Sequence, residues 1–143
     1  MVYFDISYAL KTHDYVIEHS GGRSGIINIG KLESVLEHIQ NDLYYPNFED
    51  KVTHLVFSVN KFHAFNDGNK RTSIALGAYF LEVNGIDYCI DRFIIEMENI
   101  AVYVADNKIN KDLLFRIITS ILTEDDYSEG LKIELIDALF DKD

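Results

Sequence analysis

His63-Ala64-Phe65-Asn66-Asp67-Gly68-Asn69-Lys70-Arg71, running on without a break through Thr72 to Asn84, is the stretch that decides the fold. Beyond the turn, Ile74, Leu76, Ala78, Phe80, Leu81 and Val83 supply a largely apolar body and Gly85 a C-terminal stop, so the pattern predicts a helix over Asn69 to Asn84. Its nearly all-round apolarity marks it as the buried central helix of the domain. Asn66-Asp67-Gly68 is turn chemistry and sits just before that helix. A helix N-terminus presents unpaired N–H groups and partial positive charge, and its first turn ordinarily recruits Asp or Glu. Here the first turn carries Lys70 and Arg71 instead. Two cations at a positive helix end are destabilising unless an anion sits between them, and a phosphate group is the expected occupant.

His63 and Asp67 add chemistry to that site. Imidazole is the side chain most readily poised as a general base near neutral pH, and His63 lies four residues before the carboxylate. Asp67 suits a hard cation such as magnesium, which would bridge to phosphate oxygens. Each residue alone has an ordinary reading: a semi-buried His between Phe62 and Phe65, a common Asn-Asp-Gly turn, a solvated Lys-Arg pair. In this order and context the functional reading prevails. Phe65 is expected to pin the loop into the core and to take no part in chemistry.

The chain around the motif reads as one mostly helical domain. Its 143 residues, 48% hydrophobic and 13% aromatic, suffice for a substantial core, and a single proline, Pro46, interrupts few helices. A first helix is expected from about Ser7, as N-cap, to His19, with Gly21-Gly22 as the stop. Arg23 to Ile29 is expected to be an extended loop or short hairpin, a flap. Further helices are expected at about Lys31 to Asn41, from Glu49 to Phe62, at Arg92 to Ala105 and at Lys111 to Leu122, with Ile86 to Ile90 short and extended. The predicted stripe Val52, Leu55, Val56, Val59 continues into Phe62 and delivers His63 to the mouth of the turn. Residues 1–122 make the domain. Residues 123–143 form an acidic block of charge -6, eight carboxylates against Lys132 and Lys142, in which Leu131, Ile133, Leu135, Ile136, Leu139 and Phe140 predict an amphipathic helix packed on the domain or on a partner.

Composition excludes other classes. A net charge of -11 leaves no basic stripe for a nucleic acid, and the basic residues expected to matter are Lys61, Lys70 and Arg71. Cys89 is the only cysteine, which rules out an internal disulfide and a cysteine-rich metal centre. No segment reaches the length of a membrane span and no secretory leader is evident, so a cytoplasmic protein is expected.

The pattern His63-x-Phe65-x-Asp67-Gly68-Asn69-x-Arg71 resembles the signature loop of the Fic/Doc (Fido) family, and Asn-Asp-Gly-Asn-Lys-Arg-Thr looks closest to its Doc, or death-on-curing, branch. Gly21-Gly22-Arg23-Ser24-Gly25 resembles the flap of Doc-like toxins. The resemblance covers residues 1 to about 122. It implies an all-α, Fido-type helical bundle around the central helix with a short β-hairpin flap. It implies ATP and Mg2+ as cofactors, His63, Asp67 and Arg71 as the catalytic residues, Gly68, Asn69, Lys70 and Arg71 as the phosphate cradle, and Gly22, Arg23, Ser24, Gly25, Ile26 and Ile27 as the segment that docks a protein target. Adenylylating members resemble His-Pro-Phe-x-Asp/Glu-Gly-Asn-Gly-Arg-x-x-Arg. Here Lys70 replaces the second glycine and Ile74 the second arginine, and those departures point to transfer of the terminal phosphate to a Ser or Thr hydroxyl. Adenylylation of a protein hydroxyl is the alternative. The Doc resemblance further implies elongation factor Tu as target and a small antitoxin as partner, and leaves association of two copies of the chain open. Some relatives carry an inhibitory Ser/Thr-x-x-x-Glu-Gly/Asn helix; Ser120-Ile121-Leu122-Thr123-Glu124-Asp125 departs from it at the last position, so self-inhibition is not assigned.

Overall fold

The structure, a computed structural model, describes residues 1–140. Among the described residues seven helices follow one another: α1 (Ile6–Ser20), α2 (Ile29–His38), α3 (Phe48–Lys61), α4 (Asn69–Val83), α5 (Ile90–Ala105), α6 (Lys111–Thr123) and α7 (Glu129–Leu139). The all-α architecture expected from the sequence is what forms. α4 packs against α1, α3 and α5, with Leu76, Phe80 and Leu81 fully buried, so it is the central helix. Gly77 makes the close approach possible: a Cβ there would stand 2.7 Å from Val56 and 2.9 Å from Phe93.

Local signals set the helix ends. Asp5, not Ser7, caps α1 by accepting the N–H of Tyr8, and Gly21 at φ 81° ends it. α2 starts earlier than expected because the Asn28 side chain caps it, and it stops at His38. The chain then turns about the Asn41 side chain, whose oxygen accepts the N–H groups of Leu43 and Tyr44, before Asp50 reaches back to the N–H of Asn47 and starts α3. Residues 86–87 are irregular and 88–89 form a turn rather than an extended segment, and α5 begins at Ile90.

The hairpin does not form. Residues 21–28 are irregular except for one antiparallel bridge, Ile26 to Phe65, in which Ile27 N–H donates to Ala64 and Asn66 N–H to Gly25. The segment therefore pairs with the motif loop and not with itself. Gly21, Gly22 and Gly25 all sit at positive φ, which bends the chain too sharply for a second strand. The β-branched residues that suggested a hairpin, Ile26 and Ile27, are exposed.

α7 docks through Leu131, which joins the core, through partly buried Leu135 and through the Arg116–Glu134 ion pair. Ile133, Ile136 and Phe140 of the expected amphipathic tail are exposed, and its last three residues, 141–143, lie outside the described residues. Among the described residues no helix is long and apolar enough to cross a membrane.

A polar joint ties α2, α3 and α6 together. His54 Nε2 lies 3.2 Å from His38 Nδ1, its Nδ1 lies 2.7 Å from Lys111 Nζ, and Tyr45 stacks on its ring at 4.3 Å. Burial first, then the charges of Lys111 and His38, push the His54 imidazole down from 6.5 to about 4.

Candidate functional site

The motif loop is held in shape by the helix it precedes. Asn69, at the start of α4, is 8% exposed, and its side-chain amide pairs with both backbone groups of Phe65: Phe65 N–H donates to Oδ1 at 3.2 Å and Nδ2 donates to the Phe65 carbonyl at 3.0 Å. Phe65 is buried and anchors the loop, as its sequence context predicts. Ahead of it the backbone takes a left-handed turn at His63, φ 49°, a conformation that is strained for a residue with a Cβ. His63 is exposed at the end of that turn, with Asn69 Nδ2 at 3.5 Å from its Nδ1. Phe62 does not continue the buried stripe of α3; it is 39% exposed beside the flap, its carbonyl taking a bond from Lys31 Nζ.

The anion end of α4 is open. Side chains of Asp5, Asn28, Asn110 and Ser128 cap α1, α2, α6 and α7, while α3 and α5 carry acids in their first turns. α4 has neither: Gly68 is its N-cap at φ 74°, no side chain caps it, and its first turn holds no acid. Lys70 and Arg71 are both exposed there. With the N–H groups of the first turn, they make a cationic end that suits a phosphate.

Asp67 lies at the centre. Its Oδ2 accepts the backbone N–H of Arg23 at 3.0 Å and its Oδ1 that of Gly68 at 2.8 Å. These two bonds, the first the stronger influence, hold its carboxyl below the usual carboxylate range against an opposing effect of desolvation, helped by the charges of Arg71 and Arg23. The group is thus an ionised carboxylate with lone pairs to spare. Among the described residues no cluster of three or more His, Cys, Asp or Glu side chains is placed to hold a metal. A carboxylate beside a cationic helix end is a group that could hold magnesium, which is commonly bound through one or two carboxylates.

Arg71 faces two ways. Its guanidinium donates to the carbonyls of Ser20 and Gly21 at 3.0 and 3.2 Å, at the C-terminal end of α1, and it lines a cleft of about 270 Å3 with Asp67, Gly68, Asn69, Lys70 and Ile74. The cleft's far wall is Glu98, Ala101 and Val102 of α5. Nothing in the motif announces α5, and its contribution could not be read locally. A second omission is His13 of α1, 2% exposed, whose Nε2 lies 2.7 Å from the Asp67 carbonyl and whose ring stacks on Phe65 at 3.8 Å and 4°. Its signal was there: Ala9, His13 and Val16 share one buried helical face.

The sequence candidates thus separate, and His63 is not among the residues that line the cleft. Asp67, Gly68, Asn69, Lys70 and Arg71 line one cleft, and the flap residue Arg23 is tied to it through Asp67. Gly22 packs so closely that a Cβ there would stand 2.6 Å from Asp67 Oδ2. Ser24 bonds the motif loop through its carbonyl to Asn66 Nδ2, and Gly25 and Ile27 through backbone. Lys61 is not part of the site: its ammonium is bound to the Val104 carbonyl and the Asn107 side chain at the end of α5. Glu124 is also elsewhere, bonded to Ser120 in a separate cleft with Arg92.

Comparison with known proteins agrees with this geometry. The chain is 35% identical to the protein kinase Doc of Escherichia phage P1 over 78 residues, which cover 52% of this chain and 61% of that protein. It is likewise 35% identical over 80 residues to the toxin Doc of Mycolicibacterium smegmatis, covering 50% of this chain and 62% of that one. The chain therefore spans about three fifths of the length of these curated relatives. The Fic/DOC family model matches residues 3–81, from the start of α1 through the flap and the motif to the end of α4. The helix with the open N-terminus, the loop clamped by Asn69 and the flap latched to Asp67 all fall within that match, and the chain belongs to the Fic/Doc family.

Proposed function

We propose that this protein is a Doc-type toxin that transfers the γ-phosphate of ATP to a Ser or Thr hydroxyl of a protein. The observation that carries the reading is the cationic wall of the cleft, where Lys70 and Ile74 stand at the positions that adenylylating relatives fill with glycine and arginine. A lysine there adds a point charge near the phosphates, and an isoleucine offers nothing to clamp a second phosphate region. The names of the two relatives, a protein kinase and a toxin, support the same class.

In this mechanism Asp67 would hold magnesium, which would supply positive charge to neutralise the phosphates. Lys70, Arg71 and the N–H groups at the start of α4 orient the phosphates and stabilise the charge that develops as the terminal group leaves. His63 takes the proton from the target hydroxyl as its oxygen attacks phosphorus, and the γ-phosphoryl group passes to that oxygen while ADP departs. The target docks as an added strand on the flap. In the Ile26–Phe65 bridge the hydrogen bonds fall on the flanking residues, so the N–H and C=O of Ile26 point away from the motif loop, and Ile26, Ile27, Ile29 and Phe62 surround that edge with exposed apolar surface. Elongation factor Tu is the target this class suggests, and a small antitoxin that folds over the cleft is the partner.

The test uses purified protein, cell lysate and ATP labelled at either the α or the γ position. Protein labelled from γ alone supports the kinase; protein labelled from α alone establishes the adenylyltransferase instead. Full activity after His63→Ala would remove both.

A further inference from the structure

We infer that His13 is a positioning residue for the anion turn, locking the Asp67–Gly68 peptide in the one orientation that keeps the phosphate site open. The inference rests on reading the turn as a phosphate site. His13 belongs to α1 and lies outside the motif, yet its ring is buried at 2% exposure. Packing alone would be served by an apolar side chain, because a buried imidazole is unfavourable unless its N–H finds a partner. That partner is the Asp67 carbonyl, 2.7 Å from Nε2. A carbonyl only accepts, so Nε2 carries the proton.

The other end of the same peptide is also held. The carbonyl of Asp67 and the N–H of Gly68 share one planar unit, and the Gly68 N–H is bonded to Asp67 Oδ1 at 2.8 Å. His13 grips one side and the Asp67 carboxylate the other. The lock matters because Gly68, at φ 74°, has no Cβ to resist rotation. If this peptide flipped, it would turn a carbonyl oxygen toward the space where phosphate must sit and release the carboxylate from its bond. The ring itself cannot swing aside, since it lies parallel to Phe65 at 3.8 Å and 4°. Gly68 fits under this arrangement only without a side chain: a Cβ would meet Ile17 at 3.0 Å and His13 Nε2 at 3.7 Å.

Two variants of the full-length protein test the assignment. His13→Phe keeps a flat ring against Phe65 and removes the N–H; His13→Gln restores an N–H donor of similar reach. The readouts are turnover and KM in the ATP transfer assay, and the amide resonance and exchange rate of Gly68. His13→Phe is expected to lower turnover by roughly 100-fold, the scale of a misplacement of about 1 Å at a reacting centre, with little change in KM for the protein target, and His13→Gln to recover most of it. The Gly68 amide should shift and exchange faster in the Phe variant and return in the Gln variant. Wild-type turnover with an unshifted Gly68 amide in His13→Phe overturns the proposal. Should the Phe variant fail to fold, the Gln variant decides: a wild-type Gly68 amide supports the lock and a displaced one overturns it. If the wild-type protein transfers label from neither position, the functional reading fails, and the Gly68 amide alone decides on His13.

Discussion

The carboxylate of Asp67 accepts the backbone N–H of Arg23 at 3.0 Å, a bond across 44 residues of sequence that ties the flap to the motif turn. The side chain expected to take magnesium is therefore also the latch of the segment expected to take the target. Under the proposed function Mg2+-ATP would share that carboxylate, which would link nucleotide and flap energetically. Asp67→Asn should lose more than 100-fold in transfer, as removal of a charge from a phosphate site does. In the same variant the Arg23 amide should exchange faster with solvent, as hydrogen–deuterium exchange would measure.

Gly22 has no room for a side chain. At φ 117°, with Asp67 Oδ2 only 2.6 Å from the site of a Cβ, Gly22→Ala strains the backbone by about 1–2 kcal/mol and forces the flap away from the turn. Thermal unfolding should register a small loss of stability, and transfer to a protein target should fall further than hydrolysis or binding of ATP alone. Equal loss in both would show that the flap does not dock the target.

His63 separates function from stability. Its left-handed backbone at φ 49° is strained, and glycine relieves that strain at the expense of a freer unfolded chain. His63→Gly should therefore be at least as stable as His63→Ala, by up to about 1 kcal/mol, while both variants lose phosphate transfer. Denaturant unfolding and the labelled-ATP assay give the two numbers independently.

The His54 joint predicts a pH dependence of stability. The imidazole is held near 4 when folded against an ordinary 6.5, so between those values the unfolded chain binds the proton and the native state does not. Stability is then greatest above pH 6.5 and falls as the pH drops toward 4. His54 is buried, at 5% exposure, and the share from this one group is on the order of 3 kcal/mol. His54→Phe should flatten the curve over that window in urea titrations.

The cleft contains a second acid besides Asp67. Glu98 of α5 lines the same space as Lys70 and Arg71. Glu98→Gln removes a negative charge from a phosphate site and should tighten ADP binding severalfold, the more so at low salt. Isothermal titration at two ionic strengths measures both effects.

What the sequence revealed and what it hid follow from how far each signal reaches along the chain. The central helix was legible because Leu76, Phe80 and Leu81 repeat locally, and the anion turn because Lys70 and Arg71 break a local rule about helix ends. The flap was misread because Gly21, Gly22 and Gly25 signal a bend without naming its partner, and that partner, Phe65, lies far along the chain. The first helix began one cap early, at Asp5, because Asp and Ser are equally good N-caps and only the Tyr8 bond chooses between them. His13 and the α5 wall depend on tertiary packing: a histidine on an apolar face and an exposed Glu98 look ordinary until the helices meet.

The bonds from the Asn69 amide to both backbone groups of Phe65 mean that the loop carries its template within the helix that follows it. One side chain stands in for a neighbouring strand. The motif loop is in this sense portable in part: a graft of residues 63–71 into another helical scaffold would bring its own mould, needing from its host a pocket for Phe65, a donor where His13 stands and an edge to pair with Ala64 and Asn66 as the flap does.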